Sequence, residues 1–416
     1  MLFLYRIIIN FIYLLSPIII IVRLLKKKEH LTRFREKIGF FSTKKIGGKL
    51  IWFHGASVGE IQSVVPLIEK FEKNKNIKQI LITSNTLSSS RIIKGLKLKK
   101  TIHQFFPIDT SFISKKFINY WKPSKVFFID SEIWPNMILN LKKKNIPLIL
   151  INGRITKKTY KRWKFISSLS NNIFSKFNLC LASSKESLKL LKELNVKNIK
   201  LIGNLKFSQS ENKISRDNNL NKIFNNKKTW CASSTHSSEE LICGSIHFNL
   251  KKKIKNLLTI IIPRHIERSG QIKKDLEKLN LKVYIEGSKN KLDPDTDIYL
   301  VNSYGKTKTF FENTNIVFLG GSLINHGGQN PLEPARFGCN IISGPFNQNF
   351  KEIYDFLEKN KISKKINTKN KLSKHLNILL RKNNKNNKNN KIKLKLKRIG
   401  QNILIKTYRE INYLKS

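Results

Sequence analysis

The chain opens on an almost unbroken apolar run from Leu2 to Leu25, interrupted at Arg6, Asn10, Ser16, Pro17 and Arg23 and closed by Lys26, Lys27 and Lys28. A full membrane crossing needs roughly 20 apolar residues, so residues 1–28 are expected to form a membrane-anchor helix that either spans the bilayer or lies in its interface. A cleaved signal peptide would have a shorter apolar stretch ending in a small-residue site, which is not found here. The basic cluster after the run places the body of the protein on the cytoplasmic side.

Beyond this segment the pattern changes to short apolar runs separated by segments of helical length. They lie at 50–53, 80–83, 126–129, 148–151, 179–182 and 200–202, and again at 229–232, 258–262, 283–285, 298–301, 316–319 and 341–343. Such runs predict parallel strands buried on both faces, and their alternation with helices predicts an α/β architecture. A chain of 416 residues is too long for one ordinary core. The polar stretch 208–228 has the composition of a linker, giving an anchor (1–28), a first domain (29–207) and a second domain (229–416). Within the last, the Lys/Asn-rich segment 381–395 is a low-complexity, solvated insertion, and 402–414 reads as a final helix packed on the body.

In parallel sheets the chemistry lies at the carboxyl ends of the strands, and these ends are polar: Ser84-Asn85-Thr86, Asp130-Ser131-Glu132, Asn152-Gly153-Arg154, Ser183-Ser184 and Gly203-Asn204. The first run leads into His54-Gly55-Ala56-Ser57-Val58-Gly59-Glu60. Its small residues allow a close backbone approach by a ligand and place Glu60 in the first turn of a helix, where it is a candidate general base. The structural alternative is an acid that complements the helix dipole. Ile61, Val64, Val65, Ile68 and Phe71 give that helix a core face, and Pro66 is expected to kink it or cost a hydrogen bond. Asp130 and Glu132 precede Trp134-Pro135. A metal site there would need a histidine or third acid at ligand spacing, which the sequence lacks, and a purely structural reading has Asp130 capping a turn and Trp134 filling core.

In the second half, Ser233-Ser234-Thr235-His236 leads to Ser237 and Glu240 at capping-box spacing, a helix entrance that suits a phosphate or serves only as a cap. Gly320-Gly321 and Gly327-Gly328 permit close approach to a ligand, Pro331 or Pro334 pre-sets a helix start, and Glu333 could accept hydrogen bonds from a ribose diol.

Charge alters the choice of partners. With 80 Lys+Arg against 27 Asp+Glu the formal net charge is +53, a field that attracts polyanions. The lysines are spread along the whole chain, and no helix-turn-helix, zinc finger or aromatic-basic RNA motif is present, so nucleic acid is not expected. A membrane rich in anionic lipid or a phosphorylated lipid substrate accounts for the sign equally well. The four scattered cysteines predict free, buried thiols in a reducing compartment.

Five segments taken in order, His54 to Glu60, Ser131 to Asn136, Gly203 to Phe207, Pro263-Arg264-His265, and Gly320 to Ser322 with Asn330 to Ala335, closely resemble the 3-deoxy-D-manno-octulosonic acid (Kdo) transferases of Gram-negative bacteria. The resemblance implies a GT-B fold, two Rossmann-like α/β/α domains facing a cleft, behind an N-terminal membrane-anchor helix. It also implies lipopolysaccharide core biosynthesis at the cytoplasmic side of the inner membrane, with Kdo passed from CMP-Kdo to the lipid A precursor, inverting the anomeric centre and using no metal or cofactor. By the same resemblance Glu60 is the general base, Asp130 and Lys206 stabilise the transition state, and Glu132 is the alternative working acid. CMP contacts fall on Pro263, Arg264, Tyr304, Gly305, Lys306, Asn330, Pro331, Leu332 and Glu333. The chain departs from the family pattern at Asp130, where glutamate is usual, and at Tyr304-Gly305-Lys306, where Met-Gly-Glu is usual. Two rivals remain: a GT-B transferase for another nucleotide sugar, and a basic membrane-associated binding protein without turnover. The latter explains the charge but not the five motifs.

Overall fold

The computed structural model describes residues 1–96, 98–209, 227–288, 292–382 and 387–414. Most of the predicted linker 208–228 and part of the low-complexity segment therefore lie outside the described residues. The chain divides into two compact units, 1–210 together with 399–416, and 211–398.

The first unit is built on seven parallel strands: β1 (Leu50–His54), β2 (Gln79–Ser84), β3 (Thr101–Phe105), β4 (Lys125–Ile129), β5 (Leu148–Gly153), β6 (Leu179–Ala182) and β7 (Ile199–Leu201). Their order is β3-β2-β1-β4-β5-β6-β7. Every residue of β1, β2, β4, β5 and β6 is buried, which is why these strands read as continuous apolar runs. Trp52, Phe53, Phe127 and Phe128 fill the layers on either side. The edge strand β3, with Thr101, His103 and Gln104, has no such run, and sequence periodicity misses it.

Strand order reverses between β1 and β4, which pair directly (Ile51 beside Lys125). This is the switch point at which open parallel sheets bind ligands. The loops that leave β1 and β4 carry Glu60 and Asp130-Ser131-Glu132. The helix after β1, Val58–Glu72, buries Ile61, Val64, Leu67, Ile68 and Phe71 and continues through Pro66.

The second unit repeats the plan with β8 (Lys228–Thr235), β9 (Leu257–Pro263), β10 (Val283–Ile285), β11 (Ile298–Leu300), β12 (Ile316–Leu319), β13 (Asn340–Ser343) and β14 (Ser363–Lys365). The parallel order is β10-β11-β9-β8-β12-β13-β14, with its switch point between β8 and β12. The short β14, Ser-Lys-Lys, is another edge strand without an apolar signal.

Two expectations for the C-terminal region need revising. The chain is helical from Asn387 to Tyr413, so the later part of 381–395 is ordered helix rather than a solvated insertion. Residues 399–416 also group with the first unit, whereas composition alone had assigned all of 229–416 to the second. Packing explains this: the Tyr408 ring lies 5.1 Å from Phe71, Ile411 is fully buried, and Lys125 Nζ donates to the Ile411 carbonyl at 3.1 Å and the Leu414 carbonyl at 2.8 Å. All four cysteines are free and buried, as the sequence predicts.

Candidate active site

The His54–Glu60 loop is fixed by reciprocal hydrogen bonds. Ser57 is the N-cap of Val58–Glu72 and accepts from the Glu60 N–H, while the Glu60 carboxylate turns back to accept from Ala56 N–H at 2.6 Å and Ser57 N–H at 3.4 Å. This is a capping box, so one carboxylate both ends the helix and faces the switch point. Gly55 sits in a tight space: a Cβ there would lie 3.0 Å from Ile129 Cδ1 and 3.2 Å from Glu60 Cβ, so a larger residue would make these side chains give way. Gly59, by contrast, borders open space. Burial pushes the Glu60 carboxyl up, and the charges of Glu132 and Asp130 push it further, to about 7, against the hydrogen bonds from Ala56 and Ser57. That value lets one group both hold and release a proton near neutral pH.

The two acids after β4 have different partners. Glu132 Oε2 lies 3.1 Å from His54 Nε2 and accepts from the Trp134 indole N–H at 2.9 Å. His54 stacks on Phe106 at 3.8 Å and hydrogen-bonds through Nδ1 to Thr83 Oγ1 at 3.0 Å, where Trp52 also donates at 2.8 Å. Burial raises the Glu132 carboxyl, but the His54 and Trp134 contacts outweigh it and hold the group below its usual range. Trp134 is thus a hydrogen-bond donor to the site, not only a core filler. Asp130 adopts a left-handed backbone conformation (φ 56°). Its Oδ1 accepts from Asn152 at the end of β5, and its Oδ2 lies 3.5 Å from Lys206 Nζ. Asn152 in turn accepts from Leu205 N–H at 2.8 Å, and Asn204 accepts from Lys206 N–H at 3.0 Å. The carboxyl ends of β4, β5 and β7 are thereby joined into one support for Asp130 and Lys206. His54, Thr83 and Asn152 were not singled out as working residues in the sequence; their signal is their place at strand ends.

In the second unit a cavity of about 260 Å³ lies at the carboxyl ends of β8, β9 and β12. Of the nine residues expected there, Pro263, Arg264, Tyr304, Gly305, Asn330 and Glu333 line it, joined by Ser233, Ser234 and Gln329. Three do not. Leu332 is core, 1% exposed; Pro331 is the N-cap of the short helix Leu332–Arg336; Lys306 Nζ turns to Glu286 at 3.0 Å. Glu286 also accepts from Ser303 Oγ at 2.6 Å, so it neutralises the unusual lysine and steadies the loop bearing Tyr304 and Gly305.

The Gly-Gly segments fit against the chain's own backbone: a Cβ on Gly320 would meet the Ser234 carbonyl oxygen at 2.5 Å, and Gly321, Gly327 and Gly328 all have positive φ. The expected capping box at Ser237 and Glu240 does not form. Ser238 is the N-cap, at φ 75° and without a side-chain bond, and the work passes to Glu239. That buried carboxylate accepts from His236 N–H (3.0 Å), Gly321 N–H (2.7 Å), Ser322 N–H (3.2 Å) and Leu323 N–H (3.0 Å). Burial, His326, His265, Arg264 and Arg268 together hold the His236 ring down to about 4, hence neutral at pH 7. Among the described residues no group of three or more His, Cys, Asp or Glu side chains is arranged to hold a metal ion.

Residues 32–209 match the family described as 3-Deoxy-D-manno-octulosonic-acid transferase (kdotransferase). Over 378 residues the chain is 34% identical to the 3-deoxy-D-manno-octulosonic acid transferase of Rickettsia bellii, covering 89% of this chain and 90% of that protein. This chain belongs to the Kdo transferase family. Its similarity to the Haemophilus influenzae Kdo transferase is 31% identity over 343 residues, 80% of this chain and 79% of that one. Kdo transferases are glycosyltransferases, and the two-sheet architecture agrees with the UDP-GlcNAc 2-epimerase of Neisseria meningitidis at a TM-score of 0.60, covering 88% of this chain and 100% of that one. At 12% identity that likeness concerns the fold alone. Among the described residues one helix, Leu2–Leu25, is long and apolar enough to cross a membrane.

Proposed function

We propose that this Kdo transferase takes Kdo from CMP-Kdo and transfers it to a sugar hydroxyl of the lipid A precursor (lipid IVA) at the cytoplasmic side of the inner membrane, inverting the anomeric carbon without a metal. The first unit activates the acceptor and the second binds the donor. A sugar hydroxyl is a poor nucleophile until its proton is taken, and Glu60 takes it; a positioned base contributes roughly 10²–10⁴-fold. Asp130 and Lys206 stabilise charge that develops in the transition state, while Glu132, already committed to His54 and Trp134, fixes the local field. The departing CMP phosphate gains charge as its bond to Kdo breaks, and Arg264, which lines the second cavity, stabilises it. Glu333 accepts from the ribose hydroxyls. Anionic lipids of the inner membrane attract the basic chain.

The observation that carries this reading is the Glu60 carboxyl, held at a switch point and raised to about 7 beside two further acids. The test compares wild type and Glu60→Gln with CMP-Kdo and lipid IVA. The expected result is turnover lower by at least about two orders of magnitude with CMP binding intact. Near-normal turnover in the variant removes Glu60 as the base, and turnover with another nucleotide sugar but none with CMP-Kdo overturns the donor.

A further inference from the structure

The N-terminal helix is apolar on all sides by composition, yet the structure divides it into two unlike faces. Ser16 and Ile20 are buried, and Leu2 packs against the first unit's core. On the same stripe, at helical spacing, the Tyr5 hydroxyl donates to Asp109 Oδ2 at 2.8 Å and Arg6 Nε donates to Asn136 Oδ1 at 3.0 Å. At the other end Arg23 Nε donates to Glu29 at 2.8 Å, and Glu29 accepts from Lys37 Nζ, also at 2.8 Å. The polar side chains Tyr5, Arg6 and Arg23 thus serve the protein-facing stripe. The outward face is mostly hydrocarbon: Phe3 is 76% exposed, Leu14 73% and Leu25 79%, with Ile7, Phe11, Ile18 and Ile21 between them and the exposed Asn10 beside them.

Both ends of the helix are therefore tied to one side of one unit. From Tyr5 to Arg23 the axis runs about 27 Å at 1.5 Å per residue, close to the ~30 Å hydrocarbon thickness of a bilayer. A crossing helix would carry Asp109 and Asn136 to the far membrane surface while Glu29 and Lys37 stayed on the near one. Where the helix ends, a crevice of about 1070 Å³ is lined by Leu24, Leu25 and Leu31 together with Lys27, Arg91 and Lys94. No ion pair neutralises these three cations among the described residues, and no acid precedes Glu29 in the chain. Leucines beside unpaired cations match the headgroup layer of an anionic lipid surface.

We propose that this helix does not cross the membrane but lies in its plane, its bare apolar face in the outer hydrocarbon and the basic crevice at its end against anionic headgroups, so that the first unit rests on the bilayer along the whole helix. The inference rests on the reading that the chain works at a membrane.

The test places a fluorophore on Phe3→Cys, Leu14→Cys or Leu25→Cys, exposed positions that leave the packed stripe intact; the four native cysteines are buried. Each full-length variant is added to preformed vesicles of phosphatidylcholine and phosphatidylglycerol, and its depth is read with lipids brominated at shallow or deep positions. In-plane binding gives three labels at one shallow depth, about 5–10 Å below the headgroups. A Leu14 label at the bilayer centre, with the Phe3 label shielded from an aqueous quencher outside, overturns the proposal. A chain that does not float with the vesicles overturns the membrane reading and the proposal with it, while leaving turnover of CMP-Kdo in detergent as a separate result.

Discussion

The two switch points use one topology for different purposes. At β1 and β4, Glu132 is tied to His54 and Trp134, His54 and Trp52 meet at Thr83, Lys206 pairs with Asp130, and Glu60 is fixed by the backbone of its own loop; the outcome is a perturbed acid. At β8 and β12 Arg264 and Glu333 border a cavity, glycines set the turns, and Lys306 is held by Glu286 outside the lining. A parallel sheet thus supplies a location, and the residues at its edge decide whether that location performs chemistry or binds a ligand.

Of the changes that leave Glu60 in place, Lys206→Ala should break the first site most severely. It removes the cation beside Asp130, and the expected loss is about 10²–10³ in kcat with donor binding retained, measured by steady-state kinetics. Equal losses in kcat and donor affinity would mean that the first unit also binds the nucleotide.

At the second site, Glu333→Ala should raise the donor KM by roughly tenfold, because a lost hydrogen bond to a charged group costs on the order of 1.5–3 kcal/mol, while the acceptor KM stays unchanged. A lowered melting temperature with an unchanged donor constant would make Glu333 a structural acid of the short helix Leu332–Arg336.

The third prediction concerns the cost of the perturbed acid. The Glu60 pKa is higher folded than unfolded, so its favourable contribution is complete below pH about 4.5 and is lost as pH rises through about 7. Glu60→Gln should therefore gain about 1–2 kcal/mol over wild type at pH 8 and little or nothing at pH 5, read from denaturant melts at both pH values. The wild-type kcat/KM should rise through pH 7 and then level off, as for a base that must be ionised. A stability difference independent of pH would show that Glu60 is not the group titrating there.

Lys306→Ala should have the smallest effect, because its ion pair with Glu286 is half exposed and such pairs contribute about 0–1 kcal/mol. Donor KM should change by less than about fivefold. A larger rise would mean that Lys306 leaves Glu286 to reach the nucleotide.

Much of the buried architecture was legible because strands covered on both faces are nearly continuous apolar runs, as in Leu50–Phe53 and Ile260–Ile262. The edge strands β3 and β14 escaped for the same reason, since one side meets no neighbouring strand and tolerates Thr101, His103 or Lys364. The roles of Glu239 and Asn152 were not legible, because a carboxylate or amide that serves backbone from distant segments leaves no local spacing. Residues 399–416 show the same limit: apolar spacing in Ile403, Tyr408 and Ile411 announces a helix, but the core that receives it is a property of the folded chain.

Glu239 also bears on how a ligand would be met. Its two oxygens gather four N–H groups from the exits of β8 and β12, so both walls of the switch point hang from a single buried anion. Loops rich in positive-φ glycine would otherwise sample many conformations, and an arriving molecule would have to freeze them out of its own interaction energy. Here that ordering is complete at folding. The cavity meets its ligand as a preformed mould, and the entropy of shaping it is charged to the stability of the second unit rather than to affinity.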